Sequence, residues 1–121
     1  MANEQRLHRV GDQIQRELSE LIRLELKDPR VHMVTIIGVD VSPDLEHARV
    51  RVSTLDTAHR DETMAGLRRA AGFLRAHLGR RLRTHATPEL RFEYDDSIEQ
   101  GVRLTQLIDQ AVSTAKPDDE R

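Results

Sequence analysis

Along the chain, apolar residues first recur at helical spacing. Leu7, Val10, Ile14, Leu18, Leu21 and Ile22 follow three- and four-residue steps, which predicts a helix capped by Asn3 and running to about Lys27. A second stripe of the same segment, Arg6, Arg9, Gln13, Arg16, Glu20, Arg23 and Lys27, is mostly basic and belongs to solvent. Asp28-Pro29 ends the helix, because the residue before proline is driven out of the helical region. The pattern then changes to strands. VTIIGVDV, residues 34–41, is rich in β-branched side chains, and Ser42-Pro43-Asp44 is turn chemistry. HARVRVSTL follows, with Ala48, Val50 and Val52 on one face and His47, Arg49, Arg51 and Ser53 on the other. These two strands predict a hairpin with one packed face and one wet face.

A third apolar stripe, Leu67, Ala71, Leu74, Leu78 and Leu82, predicts a helix from near Asp61 to about Leu82. The seam has no gap, so the periodicity describes one continuous helix. ELRFEY then alternates as a third strand, with Leu90, Phe92 and Tyr94 on one face. Asp95-Asp96 offers a cap for a last helix whose apolar set is Ile98, Val102, Leu104, Leu107, Ile108, Ala111 and Val112. The segment 116–121, KPDDER, is polar and is expected to be a disordered tail, with residues 1–115 forming one domain. The order α-β-β-α-β-α describes an α+β fold. The second strand, the helical crossover and the third strand should form a right-handed parallel unit. A three-stranded mixed sheet with helices packed on one face accounts for the whole.

Charge sharpens this picture. The chain of 121 residues has a net charge of −2, but residues 1–66 carry −3, residues 67–92 carry +6 and residues 93–121 carry −5. The stretch LRRAAGFLRAHLGRRLR, residues 67–83, holds six arginines and no acid. A basic block between acidic segments points to a localised anionic partner, with nucleic acid first among them and a solvated helix face as the plain alternative. Beside the core seam, Arg68, Gly72, Arg75, Gly79 and Arg83 alternate arginine with glycine. Glycine costs a helix about 1 kcal/mol against alanine, so two on one face call for a bend or a close backbone approach.

Other chemistries find little support. The chain has no cysteine, which excludes disulfides, thiolate metal sites and a cysteine nucleophile. No N-terminal apolar run and no long apolar stretch is present, so a soluble cytoplasmic protein without a membrane partner is expected. His8, His32, His47, His59, His77 and His85 are dispersed, and none pairs with another at metal-ligand spacing. Asp95, Asp96 and Glu99 cluster, but a helix cap with first-turn acids explains them better than a cation site. No glycine-rich phosphate loop occurs. The reading is of a binding protein, with no catalytic residues, metal or cofactor.

Four segments in order, IQRELSELIRLELKDPR, MVTIIGVDVSPDLEHARVRVS, RAAGFLRAHLGRRLR and PELRFEYDDSIEQGVRL, resemble the ribosome-binding factor A family of bacterial assembly factors. The resemblance covers nearly the whole chain. It implies a type II KH-like domain, α-β-β-α(kink)α-β-α, in which the usual Gly-x-x-Gly loop is replaced by an Ala-x-Gly interruption. That interruption maps onto Ala70, Ala71 and Gly72, so the resemblance divides the helix that periodicity leaves whole.

Similar proteins bind the free small (30S) ribosomal subunit at its neck, near the decoding region. They assist late maturation of 16S rRNA, including its 5′ end, support growth in the cold and work alongside assembly GTPases. The rRNA-binding residues thereby expected are Arg68, Arg69, Arg75, Arg80, Arg81 and Arg83, helped by Arg9, Arg16 and Arg23 of the first helix. Arginine suits bidentate phosphate contacts. The three aromatic residues, Phe73, Phe92 and Tyr94, are all expected in the core, so recognition by backbone and shape is expected rather than by base stacking. A monomer is expected. The alternative is an adaptor whose arginine block meets an acidic partner protein.

Overall fold

The structure, a computed structural model, describes residues 4–82 and 87–115. Helix α1 spans Glu4–Glu25, strand β1 Val34–Val41, strand β2 His47–Thr54, helix α2 Arg60–Arg69, helix α3 Ala71–Leu82, strand β3 Glu89–Tyr94 and helix α4 Ser97–Ala115. Short 3-10 turns precede β1 and α2. The expected cap Asn3, the residue Arg83 and the expected tail 116–121 lie outside the described residues.

The strands form one sheet in the order β1-β2-β3, with β1 and β2 antiparallel and β2 and β3 parallel. This is the mixed sheet that the pattern predicts. In β2, Ala48, Val50 and Val52 are buried as the alternation requires, but Ser53 and Thr54 are buried as well, so the alternation stops short of the strand's end. The hairpin turn is held by Asp44. Its carboxylate accepts the Ser42 hydroxyl and the Glu46 N–H, and these bonds hold the carboxyl below the usual aspartate range.

The sheet's covered face packs on α1, α2 and α3. Ile14, Leu18 and Leu21 of α1 meet Leu67 of α2 and Leu74 and Leu78 of α3 in a core with no more than 1% exposure at any of these six. α1 lies so close to β1 that a Cβ at Gly11 would stand 2.5 Å from the Val39 carbonyl oxygen. α1 ends at Glu25, two residues before the predicted Lys27. Beyond its end, the Leu26 carbonyl accepts a bond from the His32 ring and Asp28 caps the Arg30 N–H.

The predicted single helix of residues 61–82 is two helices, as the family resemblance implies. α2 stops at Arg69. The Ala70 N–H bonds to the Gly66 and Leu67 carbonyls, and the ladder resumes with the Leu74 N–H on the Ala70 carbonyl. The apolar seam continues across this break, which is why periodicity does not register it.

α4 departs from the expectation that the helices pack on one face of the sheet. Ile98, Val102, Leu104, Leu107, Ile108 and Val112 are each more than half exposed. The reason is that both sheet faces are already committed. One carries the other three helices, and the opposite one is charged. There Arg49 pairs with Asp40 and Glu93, and Arg51 with Asp40 and Asp95. Asp95 also caps the helix, accepting the Ser97 N–H at 2.8 Å.

Candidate nucleic-acid interface

The six arginines of residues 67–83 do not act alike. The Arg68 guanidinium donates to the Phe92 carbonyl at 3.3 Å, covering a backbone acceptor on the edge strand β3. Arg75 donates twice to the Thr87 carbonyl, at 2.9 and 3.1 Å. This pins the segment entering β3 across α3. Gly79 lies beneath that segment, and a Cβ there would meet the Thr87 hydroxyl at 2.8 Å. Its lack of a side chain therefore serves packing.

Arg81 reaches α1, donating to Glu20 at 2.7 Å and Glu17 at 3.0 Å. The Arg81 bond and charge hold the Glu20 carboxyl below the usual glutamate range, and the two acids raise the guanidinium in return. Three of the predicted contact residues thus have protein partners. Arg69 and Arg80 are exposed, and their guanidinium groups make no hydrogen bond or ion pair with a described residue.

On α1, Arg9, Arg16 and Arg23 are exposed and recur every seven residues, about 10 Å apart along the axis. The pairs Arg81 to Glu17 and Glu20, and His77 to Glu25, show that α1 and α3 run antiparallel side by side. From Glu20, Arg16 and Arg23 lie roughly 40–60° further round α1, away from the core. From Arg81, Arg80 lies about 100° round α3, also away from the core. The α1 row and Arg80 therefore share one outer surface, with the Arg81 cluster as the seam between the helices.

At the interruption, the break in the backbone falls at Ala70, and Gly72 lies in the first turn of α3. Among the described residues no glycine has a positive φ, and a Cβ at Gly72 would meet nothing within 4 Å. Neither a left-handed backbone nor protein packing requires glycine there. The expectation that all three aromatics are in the core fails at Phe73, which is 47% exposed, while Phe92 is buried and Tyr94 half-buried. Phe73 stands six residues after Leu67 and five before Leu78, off the apolar stripe, and that spacing is the signal that places it outside.

The sheet's open face makes a weaker candidate. Arg49 and Arg51 are compensated by Asp40, Glu93 and Asp95, which leaves little net positive charge. Among the described residues, no helix is long and apolar enough to cross a membrane.

Comparison with known proteins places the whole arrangement in a family. The family model for ribosome-binding factor A matches residues 6–108. The chain is 57% identical to ribosome-binding factor A of Thioalkalivibrio sulfidiphilus over 119 residues, covering 95% of this chain and 92% of the relative. It is 53% identical to that of Dechloromonas aromatica over 107 residues, covering 88% and 87%. Among solved structures, it is similar to the crystal structure of ribosome-binding factor A from Thermus thermophilus, with TM-score 0.66 and 31% identity over 73% of this chain and 94% of that one. It is also similar to a Thermus thermophilus ribosome-binding factor A homology model fitted into the cryo-EM map of a 30S complex, with TM-score 0.60 and 31% identity over 71% and 91%.

Proposed function

The chain belongs to the ribosome-binding factor A family, and from that premise we propose that it binds the free small ribosomal subunit through the outer surface of α1 and α3. The observation that carries this reading is an array of exposed arginines whose side chains make no hydrogen bond or ion pair with a described residue, with Arg23 feeling only the charge of Glu20. Arg80 and the Arg9, Arg16 and Arg23 row face one side of two antiparallel helices, while Arg49 and Arg51 of the charged sheet face are matched by Asp40, Glu93 and Asp95. A relative fitted in a 30S complex supports the partner.

On this reading Arg80, Arg69 and the α1 row contact phosphates of 16S rRNA directly. Counterion release supplies affinity without reading bases. Arg68, Arg75 and Arg81 hold the surface in shape, with Arg81 at the seam between α1 and α3. The protein acts on the subunit in the cytoplasm, as a monomer, during late maturation of 16S rRNA including its 5′ end, alongside assembly GTPases. Binding alone performs this role, so no catalytic step or cofactor is required.

The test is Arg80→Glu, titrated against purified small subunits over a salt series. Weaker binding with a salt slope smaller by about 0.7–0.9 supports a phosphate contact. Unchanged binding to subunits, with an acidic protein lost instead, supports the adaptor.

A further inference from the structure

Phe73 and His77 lie one turn apart on α3, with ring centroids 4.3 Å apart and planes inclined at 50°. The His77 ring is the more enclosed of the two, at 25% side-chain exposure, and its Nδ1 lies 3.8 Å from a Glu25 carboxylate oxygen on α1. It buttresses Phe73 from the α1 side and leaves much of the phenyl ring in water.

The surroundings of that ring are specific. At about 100° per residue, Arg80 returns to within roughly 20° of Phe73 on the helix and stands about 10 Å along it. Between them on the outer face is Ala76, and before them Gly72, both exposed. Small neighbours leave the ring approachable, and a Cβ at Gly72 would meet no atom within 4 Å. An exposed aromatic ring beside a guanidinium that makes no bond to a described residue is the pairing by which single-stranded nucleic acid is held. The ring stacks a base whatever its identity, and the cation takes a phosphate.

We propose that Phe73, buttressed by His77, stacks on one unpaired nucleobase of the bound RNA, with Arg80 holding a neighbouring phosphate. This rests on the reading of the α1–α3 surface as the RNA interface and adds to it a base contact. The site therefore engages an unpaired nucleotide, in addition to tracking the backbone of folded RNA.

The experiment measures binding of Phe73→Ala, Phe73→Leu and Phe73→Trp to purified small subunits over a salt series, with thermal melting of each variant. Phe73→Ala should bind about 5- to 150-fold more weakly, the range for loss of one stacked base. It should keep its melting temperature, since the ring is exposed, and its salt slope, since no phosphate contact is lost. Phe73→Trp should restore binding, with indole fluorescence quenched in the complex. Phe73→Leu should remain weak, because leucine offers apolar area without a π face.

Wild-type binding by Phe73→Ala, or full rescue by Phe73→Leu, overturns the stacking proposal. The Arg80→Glu variant separates that failure from failure of the interface itself. If Arg80→Glu weakens binding and lowers the salt slope while Phe73→Ala does neither, only the stacking contact is lost. If neither variant changes binding, the outer surface of α1 and α3 is not the RNA interface.

Discussion

Arg81 on α3 donates to Glu20 on α1 at 2.7 Å, and the same nitrogen reaches Glu17 at 3.0 Å. One cation therefore answers two carboxylates at the contact between the helices that carry the proposed interface. Its role separates it from Arg80, its neighbour in sequence. Arg81→Glu sets three carboxylates together and should lower the melting temperature, whereas Arg80→Glu should not. A double variant at these positions would mix a folding defect with a binding defect. Thermal melts of the two single variants check this, and equal melting temperatures would remove Arg81 from the helix contact.

The same cluster predicts a pH dependence. The Glu20 carboxyl is lowered mainly by the Arg81 hydrogen bond and then by its charge. A carboxyl lowered on folding stabilises above its ordinary range and loses that stabilisation as pH falls through its folded value. Stability should therefore decline as carboxylates protonate in acid, and Arg81→Ala should flatten part of that decline. The pair is partly exposed, so the effect at neutral pH is small. Melting curves from neutral to about pH 3 are the measurement.

Gly11 and Gly72 should respond to alanine with opposite signs. At Gly11 the added Cβ meets the Val39 carbonyl oxygen at 2.5 Å, and backbone cannot step aside, so α1 must lift from the sheet. A loss of about 1–3 kcal/mol is expected. At Gly72 the Cβ meets nothing and φ is not positive, so helix propensity decides. A gain of up to about 1 kcal/mol is expected. Denaturant unfolding of both variants tests this, and a destabilised Gly72→Ala would restore the idea that the interruption itself needs glycine.

Much of this was legible in the residues. β1, β2 and β3 follow from β-branched runs and alternation, and the buried face of α1 from Ile14, Leu18 and Leu21. Other features follow from relations that a local pattern does not contain. The break at Ala70 leaves the spacing of Leu67, Leu74 and Leu78 intact, so periodicity passes over it. The commitments of Arg68, Arg75 and Arg81 are to Phe92, Thr87 and Glu17 with Glu20, between 12 and 64 residues distant in sequence. In α4 the pattern specifies an apolar face but not what covers it, and within the described fold nothing does.

The α4 cap gives a prediction centred on that helix. The Ser97 hydroxyl and N–H lead the interactions that hold the Asp95 carboxyl below its usual range, with Arg51 adding to them. Asp95→Ala removes this cap, at about 0.5–2 kcal/mol for the helix. Because α4 buries no apolar side chain among its described residues, the loss should appear chiefly as reduced helicity, with a smaller change in the melting of the core from loss of the Arg51 pair. A core that melts far lower would mean that α4 packs against it in solution.

The outer surface of α1 and α3 is proposed to hold ribosomal RNA by phosphate contacts. The most direct test of this is equilibrium binding of the Arg16→Glu, Arg80→Glu double variant to purified small subunits as salt is raised. Binding at moderate salt should be at least about tenfold weaker, with an unchanged melting temperature and a salt slope reduced by about 0.7–0.9 for each of the two contacts. Wild-type affinity with a wild-type slope in a folded double variant would contradict it.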